Sequence, residues 1–322
     1  MGLFRRGPRR DGRETPRDPE FSFFSTDEAA HFRSQVRQAF AERGLEVTLY
    51  ADMATDSAGR QFGLGNLAAV CHHDDRGPRV WGDLIRRHAG MVLRTMDGPS
   101  ALDTLPPEQI RAQLYPRVIS GDSLDAQAFG YARSVAPGLY EILALDLPES
   151  VMMLTDEALE PLGPLPELRA RALGNLRQLP VEGRETVKDG DMRFEVVMGD
   201  SFYTASRVLA LDGLVHQVTG RTLGPDGALV AFPFRHQLAF HAIRDATVIP
   251  SLNAMASFAA SGFEDAPGAI SPYVYWWRGG TLTQLSDRDE GNTEAGGLRI
   301  VVGDDFQDLL ERLVSPSGPE ED

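Results

Sequence analysis

The chain has 322 residues, 42% of them hydrophobic and 25% charged, which suits one large domain or two to three packed subdomains and excludes wholesale disorder. A net charge of −15 opposes phosphate backbones, so nucleic acid is not expected as a partner; the one basic cluster is the N-terminal MGLFRRGPRR. A single cysteine, Cys71, excludes an intrachain disulfide, and no apolar stretch reaches the roughly 18–20 residues a membrane helix needs. The expectation is a cytoplasmic protein with no membrane partner.

Residues 1–20, rich in Arg, Gly, Pro and Asp, read as a disordered basic tail, and 315–322 (SPSGPEED) as an acidic one. An N-terminal α+β unit is expected over 21–105. Ser25 and Glu28 have capping-box spacing; Phe32, Val36 and Phe40 follow at helical spacing, and Gly44 stops the helix. Leu45, Val47 and Leu49 alternate as in a half-buried strand, paired with a second strand near 61–64. Residues 65–73 read as a helix. The next helix carries Trp81, Leu84, Ile85, His88 and Val92 on one stripe, with Asp83 and Arg87 one turn apart on its wet side.

After a Pro-containing connector, two sheet-and-helix lobes of ββαββα type are expected at 106–220 and 221–314. The first has strands near 128–135, 139–147 and 151–154, a helix through Leu168, Ala172, Leu176 and Leu179, the strand Met192–Met198, and a helix from Phe202 to Leu209. The second has strands at 229–234 and 237–243, a helix through Leu252, Met255 and Ala259, and a hairpin of Tyr273–Trp277 against Thr281–Leu285 around Gly279 and Gly280. It closes on LRIVV and a helix through Phe306 to Leu313. VVMGDSF (196–202) and IVVGDDF (300–306) share a strand, a Gly turn and an acidic cap, consistent with a duplication. The same pattern follows from Gly turns and Asp caps alone.

The segments ALDLPESVMML, ALGNLRQLP, GDSFYTASRVL and VAFPFRHQLAF, in that order and spacing, resemble the YtpQ-like family of bacterial proteins, a domain of unknown function. The resemblance runs from about residue 25 to 290. It implies a cytosolic bacterial α+β protein and carries no activity, cofactor or site residue with it.

Gly121-Asp122-Ser123-Leu124, after the strand YPRVIS, matches the block in which GDSL-type esterases place a nucleophilic serine. Such a serine needs a His with an acid in an Asp-x-x-His pair, and the chain has none. Gly63-Leu64-Gly65-Asn66-Leu67-Ala68 fits a loose dinucleotide fingerprint, but its acid, Asp83, falls inside a helix rather than at a strand end. Cys71-His72-His73-Asp74-Asp75 are metal-capable types that point around a helix axis, so no metal site is expected. No cofactor is expected either.

Asn175 and Arg177 at a helix end, Arg207 in the helix after Gly199, and Arg235 between apolar strand residues stand out. An Arg in apolar surroundings is costly unless paired or reaching solvent. Two readings remain open for them: a structural tie between lobes, or an anion cleft using Arg's forked donors, with a small anionic ligand between Arg207 and Arg235. The aromatic run offers Tyr273, Tyr275 and Trp277 on one strand face, either core or a protein-partner surface. The functional expectation is a non-catalytic binding or regulatory protein engaging a protein partner or a small anion. The alternative is a serine hydrolase with Ser123 or Ser201 against one of His72, His73, His216, His236 or His241.

Overall fold

In the computed structural model, residues 16–57, 60–97, 101–148, 150–264, 266–288 and 298–315 are described. The chain divides into two compact units at Arg94/Thr95. Both mix helix and antiparallel sheet, so the protein is α+β.

The first unit begins with α1 (Thr26–Ala41). Its Ser25–Glu28 capping box is complete, with both side chains satisfying helix-start donors. The three strands β1 (Val47–Leu49), β2 (Met53–Asp56) and β3 (Gln61–Gly63) form one sheet in chain order. β2 therefore stands between the two strands the sequence pairs directly. α2 (Gly65–His73) and α3 (Trp81–Asp97) complete the unit. Phe24, Phe32, Phe40, Trp81 and Ile85 form its core, and the Trp81 indole N–H donates to the Cys71 carbonyl at 2.7 Å. Asp83 pairs with Arg86 on the α3 surface, not with Arg87.

Of the tail expected over 1–20, residues 16–20 are part of the first unit's ordered structure, which corrects the expectation there; residues 1–15 lie outside the described ones. Arg17 bridges to Ser25, and Asp18 is buried. The Arg33 guanidinium, bonded to both Asp18 oxygens at 2.8 and 3.0 Å, and the N–H groups of Phe21 and Glu20 hold this carboxyl at about 2, against the upward push of burial. A depressed carboxyl stabilises the fold fully above its unfolded value near 3.8, and that contribution disappears as pH falls toward about 2. Asp18→Asn is expected to cost this unit about 1.5–3 kcal/mol at pH 7. Urea titrations should show the gap between wild type and variant closing between pH 4 and 2.

The second unit opens with α4 (Ala101–Thr104) and α5 (Pro107–Ala112). Leu102, Leu105 and Ile110 pack with Leu143, Leu145 and Leu168, so this segment belongs to the second unit's core. A first sheet follows: β4 (Leu114–Ser120), β5 (Arg133–Ala136), β6 (Leu139–Leu147) and β7 (Ser150–Met153), with β6 pairing all three others. LYEILALDL is central because its apolar residues alternate onto two covered faces. The short α6 (Asp156–Leu159) leads into α7 (Leu165–Gln178), which lies along β4.

Next come β8 (Gly183–Asp189), β9 (Met192–Met198), a 3-10 turn Ala205–Ala210 and α8 (Leu211–Thr219). The rest is β10 (Ala228–Ala231), β11 (Gln237–Ala242), α9 (Val248–Phe263), β12 (Val274–Arg278), β13 (Thr281–Gln284), the pair β14 (Ser286–Arg288) and β15 (Leu298–Ile300), and α10 (Asp304–Val314). β8 to β13 make one antiparallel sheet in the order β13-β12-β10-β11-β9-β8. α8 and the 3-10 turn cover one face, with Val197, Val208, Leu214, Val230 and Phe240; α9 and α10 cover the other, with Val196, Leu229, Met255, Trp276 and Phe306.

This sheet runs across the lobe boundary drawn at 220. The hairpin β8–β9 pairs with β11, through Val196↔Ala239 and Val197↔Leu238, and not with its own lobe's β5 or β6. Val118, Ala136 and Leu139 of the first sheet share a core with Val197 and Val230 of the second. The two stretches are therefore not two separate sheets. β9 sets Phe194 and Val196 on one face and Glu195 and Val197 on the other, all four buried, so it needs a paired neighbour on each side, and β11 supplies one.

Candidate anion site

Buried charges in this molecule come in partnered form. Asp56 pairs with Arg60 at 2.5 Å, Glu141 with Arg133 and Arg169, and Glu195 with Arg193 at 2.9 Å and the Thr186 hydroxyl at 2.7 Å. Arg207, only 4% exposed, donates to the Pro180 carbonyl at 3.1 Å and to the Gln217 side-chain oxygen; Gln217 in turn donates to the Arg177 carbonyl. Asn175 donates to the carbonyls of Arg111 and Leu114, both at 2.8 Å. Asn175 and Arg207, with the Arg177 carbonyl, thus tie α7, α8 and β4 together, and both terminal nitrogens of Arg207 are engaged in that tie.

Arg235 behaves differently, and its companion is Arg117, which the sequence reading passed over. Arg117 stands on the edge strand β4, half-buried, and its guanidinium has no hydrogen-bond or ion-pair partner among the described residues. Arg235 stands in the turn between β10 and β11, and among the described residues the one acceptor of its side chain is the neighbouring His236 Nε2, at 2.9 Å from Nε. Its two terminal nitrogens are uncommitted. Burial, joined by the charge of Arg117, brings the Arg235 guanidinium down to about 10; burial likewise lowers Arg117. Two cations that feel each other in a poorly solvated place, neither in an ion pair among the described residues, form an incomplete arrangement.

The surroundings are rigid. The Arg235 guanidinium lies over the Phe202 ring at 4.5 Å, and its stem packs on Gly268, where a Cβ would fall 2.7 Å from Arg235 Cδ. Gly268 takes φ +76°, a conformation that disfavours any side chain. The loop after β9 is stitched to the same turn: Gly199 N–H donates to the His236 carbonyl and Ala205 N–H to the Arg235 carbonyl. That loop places Tyr203, 1% exposed, stacked on Tyr115 with ring centres 4.6 Å apart. The Tyr203 hydroxyl is buried without a hydrogen-bond partner, and the Arg117 charge reaches it. Asp146 acts on the same hydroxyl but makes no ion pair; burial raises its own carboxyl. An unsatisfied hydroxyl donor within the field of Arg117, whose guanidinium makes no ion pair among the described residues, is suited to an oxyanion.

His236 holds Arg235 in place through a fixed tautomer. Its Nδ1 faces the Gly199 carbonyl at 3.1 Å, so Nδ1 carries the proton and Nε2 accepts from Arg235. Burial, then the Arg235 charge, lowers the imidazole below its ordinary 6.5; burial also lowers His241. The unfolded chain therefore binds more protons than the folded one as pH drops through 6.5, and stability that is complete above that value is lost on acidification. In NMR titrations both imidazoles should titrate below 6.5, and melting temperature should fall between pH 7 and 5.

The other sequence candidates take structural places. Tyr275 is fully buried in one core and Trp276 in the other, with Tyr273 and Trp277 packed against the first, so the aromatic hairpin is interior on both faces and not an open partner surface. The turn Gly121–Ser123 follows β4 as expected, with Ser120 capping Asp122; the Ser123 side chain lies outside the described residues. Ser201 Oγ accepts the Tyr203 N–H, and both nitrogens of the neighbouring His236 are engaged elsewhere, so that ring does not activate Ser201. β1 to β3 are antiparallel and Asp83 is in α3, which removes the dinucleotide reading. Asp74 pairs with Arg76, His72 packs on Phe23 and Phe24, and burial pushes the Cys71 thiol up to about 12. Among the described residues no helix is long and apolar enough to cross a membrane.

No family model matches the chain, and neither does any curated protein or solved structure.

Proposed function

We propose that this is a non-catalytic binding protein whose ligand is a small oxyanion, a carboxylate or an inorganic anion, taken between Arg117 and Arg235 with the Tyr203 hydroxyl as a further donor. The observation that carries this reading is the unpartnered pair: Arg207 and the carboxylates Asp18, Asp56, Glu141 and Glu195 have their complements inside the protein, and neither of these two guanidinium groups makes an ion pair among the described residues. Three of the four segments that resemble the YtpQ-like family build or brace the site: GDSFYTASRVL supplies Phe202 and Tyr203, VAFPFRHQLAF supplies Arg235 and His236, and ALGNLRQLP ties α7 to β4. Family membership and a bacterial cytosolic location belong to this proposal. A role in catalysis is not supported, because neither His236 nor His241 is bonded to a serine hydroxyl.

Thermal-shift measurements over a panel of carboxylates and inorganic oxyanions test it. Wild type should be stabilised selectively, by about 2.7 kcal/mol at a hundredfold excess over Kd, and Arg235→Gln should lose the selectivity. Equal shifts for all anions, or identical shifts in the variant, would refute it.

A further inference from the structure

We infer that the ligand of the Arg117–Arg235 site is a zwitterion: a small amino carboxylate whose carboxylate lies between the two guanidinium groups and whose amine lies against Asp146. The inference rests on the oxyanion reading above and deepens it by naming the ligand's other end.

Asp146 is the anionic counterpart of the two arginines. The buried carboxylates are paired as described above. Of the half-buried ones, Asp74, Asp226 and Asp287 each hold an arginine, and Glu28 caps α1. The side chain of Asp146, half-buried on β6, makes neither a hydrogen bond nor an ion pair among the described residues. Burial raises its carboxyl, the direction of an anion without a counter-charge.

Strand register sets these groups on one face of the first sheet. Tyr115 stands opposite Ala144 and Arg117 opposite Ile142, and the Asp146 N–H donates to the Gln113 carbonyl. Alternation then places Tyr115, Arg117 and Asp146 on the same face, with Tyr115 flanked by Arg117 along its own strand and by Asp146 on the diagonal. Tyr203 stacks on the ring that separates them, and both charges act on its unpartnered hydroxyl. Met153, paired with Ala144 on this face, is exposed, so the face is open toward β7. Arg117 and Asp146 do not meet. Their positions lie about 13 Å apart along the strands, four residues of rise.

Opposite charges held apart on a partly desolvated face each lack a complement. A simple carboxylate satisfies the guanidinium end and sets a second negative charge before Asp146. An amine on the same molecule replaces that repulsion with a charge-assisted hydrogen bond. The separation favours a carbon chain between the two groups over the single carbon of an α-amino acid.

Calorimetric titration of the full chain compares glycine, 4-aminobutyrate and 5-aminovalerate with acetate, butyrate and valerate, the same acids without the amine. 4-Aminobutyrate or 5-aminovalerate should bind roughly tenfold more tightly than its parent acid or better, the yield of one hydrogen bond between charged groups. Glycine should gain less over acetate. Asp146→Asn, which removes the charge and breaks no side-chain bond of the fold, should bring the amino acids down to their parent acids and leave the acids no weaker. Arg235→Gln should weaken both classes. No gain from the amine in any pair, a gain largest in glycine, or a gain that survives Asp146→Asn would overturn the assignment. Acids that bind through Arg235 without a gain from the amine sink it alone and leave the oxyanion reading standing. Binding that Arg235→Gln does not weaken sinks the oxyanion reading with it. Binding by none of these probes also ends the assignment, and the oxyanion reading then depends on the inorganic anions of the thermal-shift panel.

Discussion

Arg117→Met should make the ligand-free protein more stable while abolishing its response to anions. The wild-type guanidinium is half-buried, unpaired and exposed to the field of Arg235, so a thioether of similar length relieves both desolvation and repulsion. A gain of about 0.5–2 kcal/mol is expected, the size usual for relieving a functional compromise, or roughly 2–4 °C for each kcal/mol in a unit of this size. Arg207→Met is the control, because Arg207 is also an arginine in apolar surroundings. It should move stability the other way by about 1–3 kcal/mol, since it strands the Pro180 carbonyl and the Gln217 oxygen. Opposite signs at two arginines of similar sequence context separate a ligand-binding cation from a structural one. Loss of stability in both variants would make Arg117 structural and remove the oxyanion proposal. Calorimetric melts with and without the best anion of the panel decide between them.

The contrast between those arginines also shows where sequence reading stops. Arg235 in FPFRHQLAF and Arg117 in YPRVIS carry the same signal, a lone guanidinium among apolar strand residues, and attention to one and not the other is an avoidable omission. That Arg207 is satisfied and Arg235 is not depends on Gln217 and Pro180 arriving from other elements, which no local pattern encodes. Secondary structure divides in the same way. The Ser25 capping box, the central run LYEILALDL and the Gly279-Gly280 hairpin are legible because each is a local code for caps, alternation or turns. β8, GRETVKD, is not, because it is an edge strand whose charges face water; only pairing along β9 makes it a strand. Lobe organisation is lost for a related reason. Order of elements along the chain is a local property, and the choice of β11 as neighbour for β9 is not.

Gly227→Ala should be the most damaging single substitution in the second unit. Gly227 immediately precedes β10, the strand paired on one side with β11 and on the other with β12. It takes φ +72°, and a Cβ there would stand 2.0 Å from the Trp277 carbonyl oxygen and 3.1 Å from its carbon. Both are backbone atoms of a paired strand, so rotamer changes cannot relieve the overlap. Either Gly227 leaves its left-handed conformation or β12 separates from β10. The first breaks the bonds from Gly227 N–H to Gly224 and from Ile243 N–H to Gly227; the second breaks the Ala228↔Trp277 register. Asp226 is drawn in as well, since its carbonyl accepts the Trp276 indole N–H at 2.7 Å and its carboxylate the Arg312 guanidinium at 2.6 Å. A loss of about 4 kcal/mol or more is expected, the range reached when strain and steric conflict coincide. Hydrogen exchange should show protection falling in β10, β11 and β12 while amides of α1 and α3 keep theirs. Gly224→Ala, three residues earlier with nothing within 4 Å of its Cβ position and no positive φ, should leave both patterns intact.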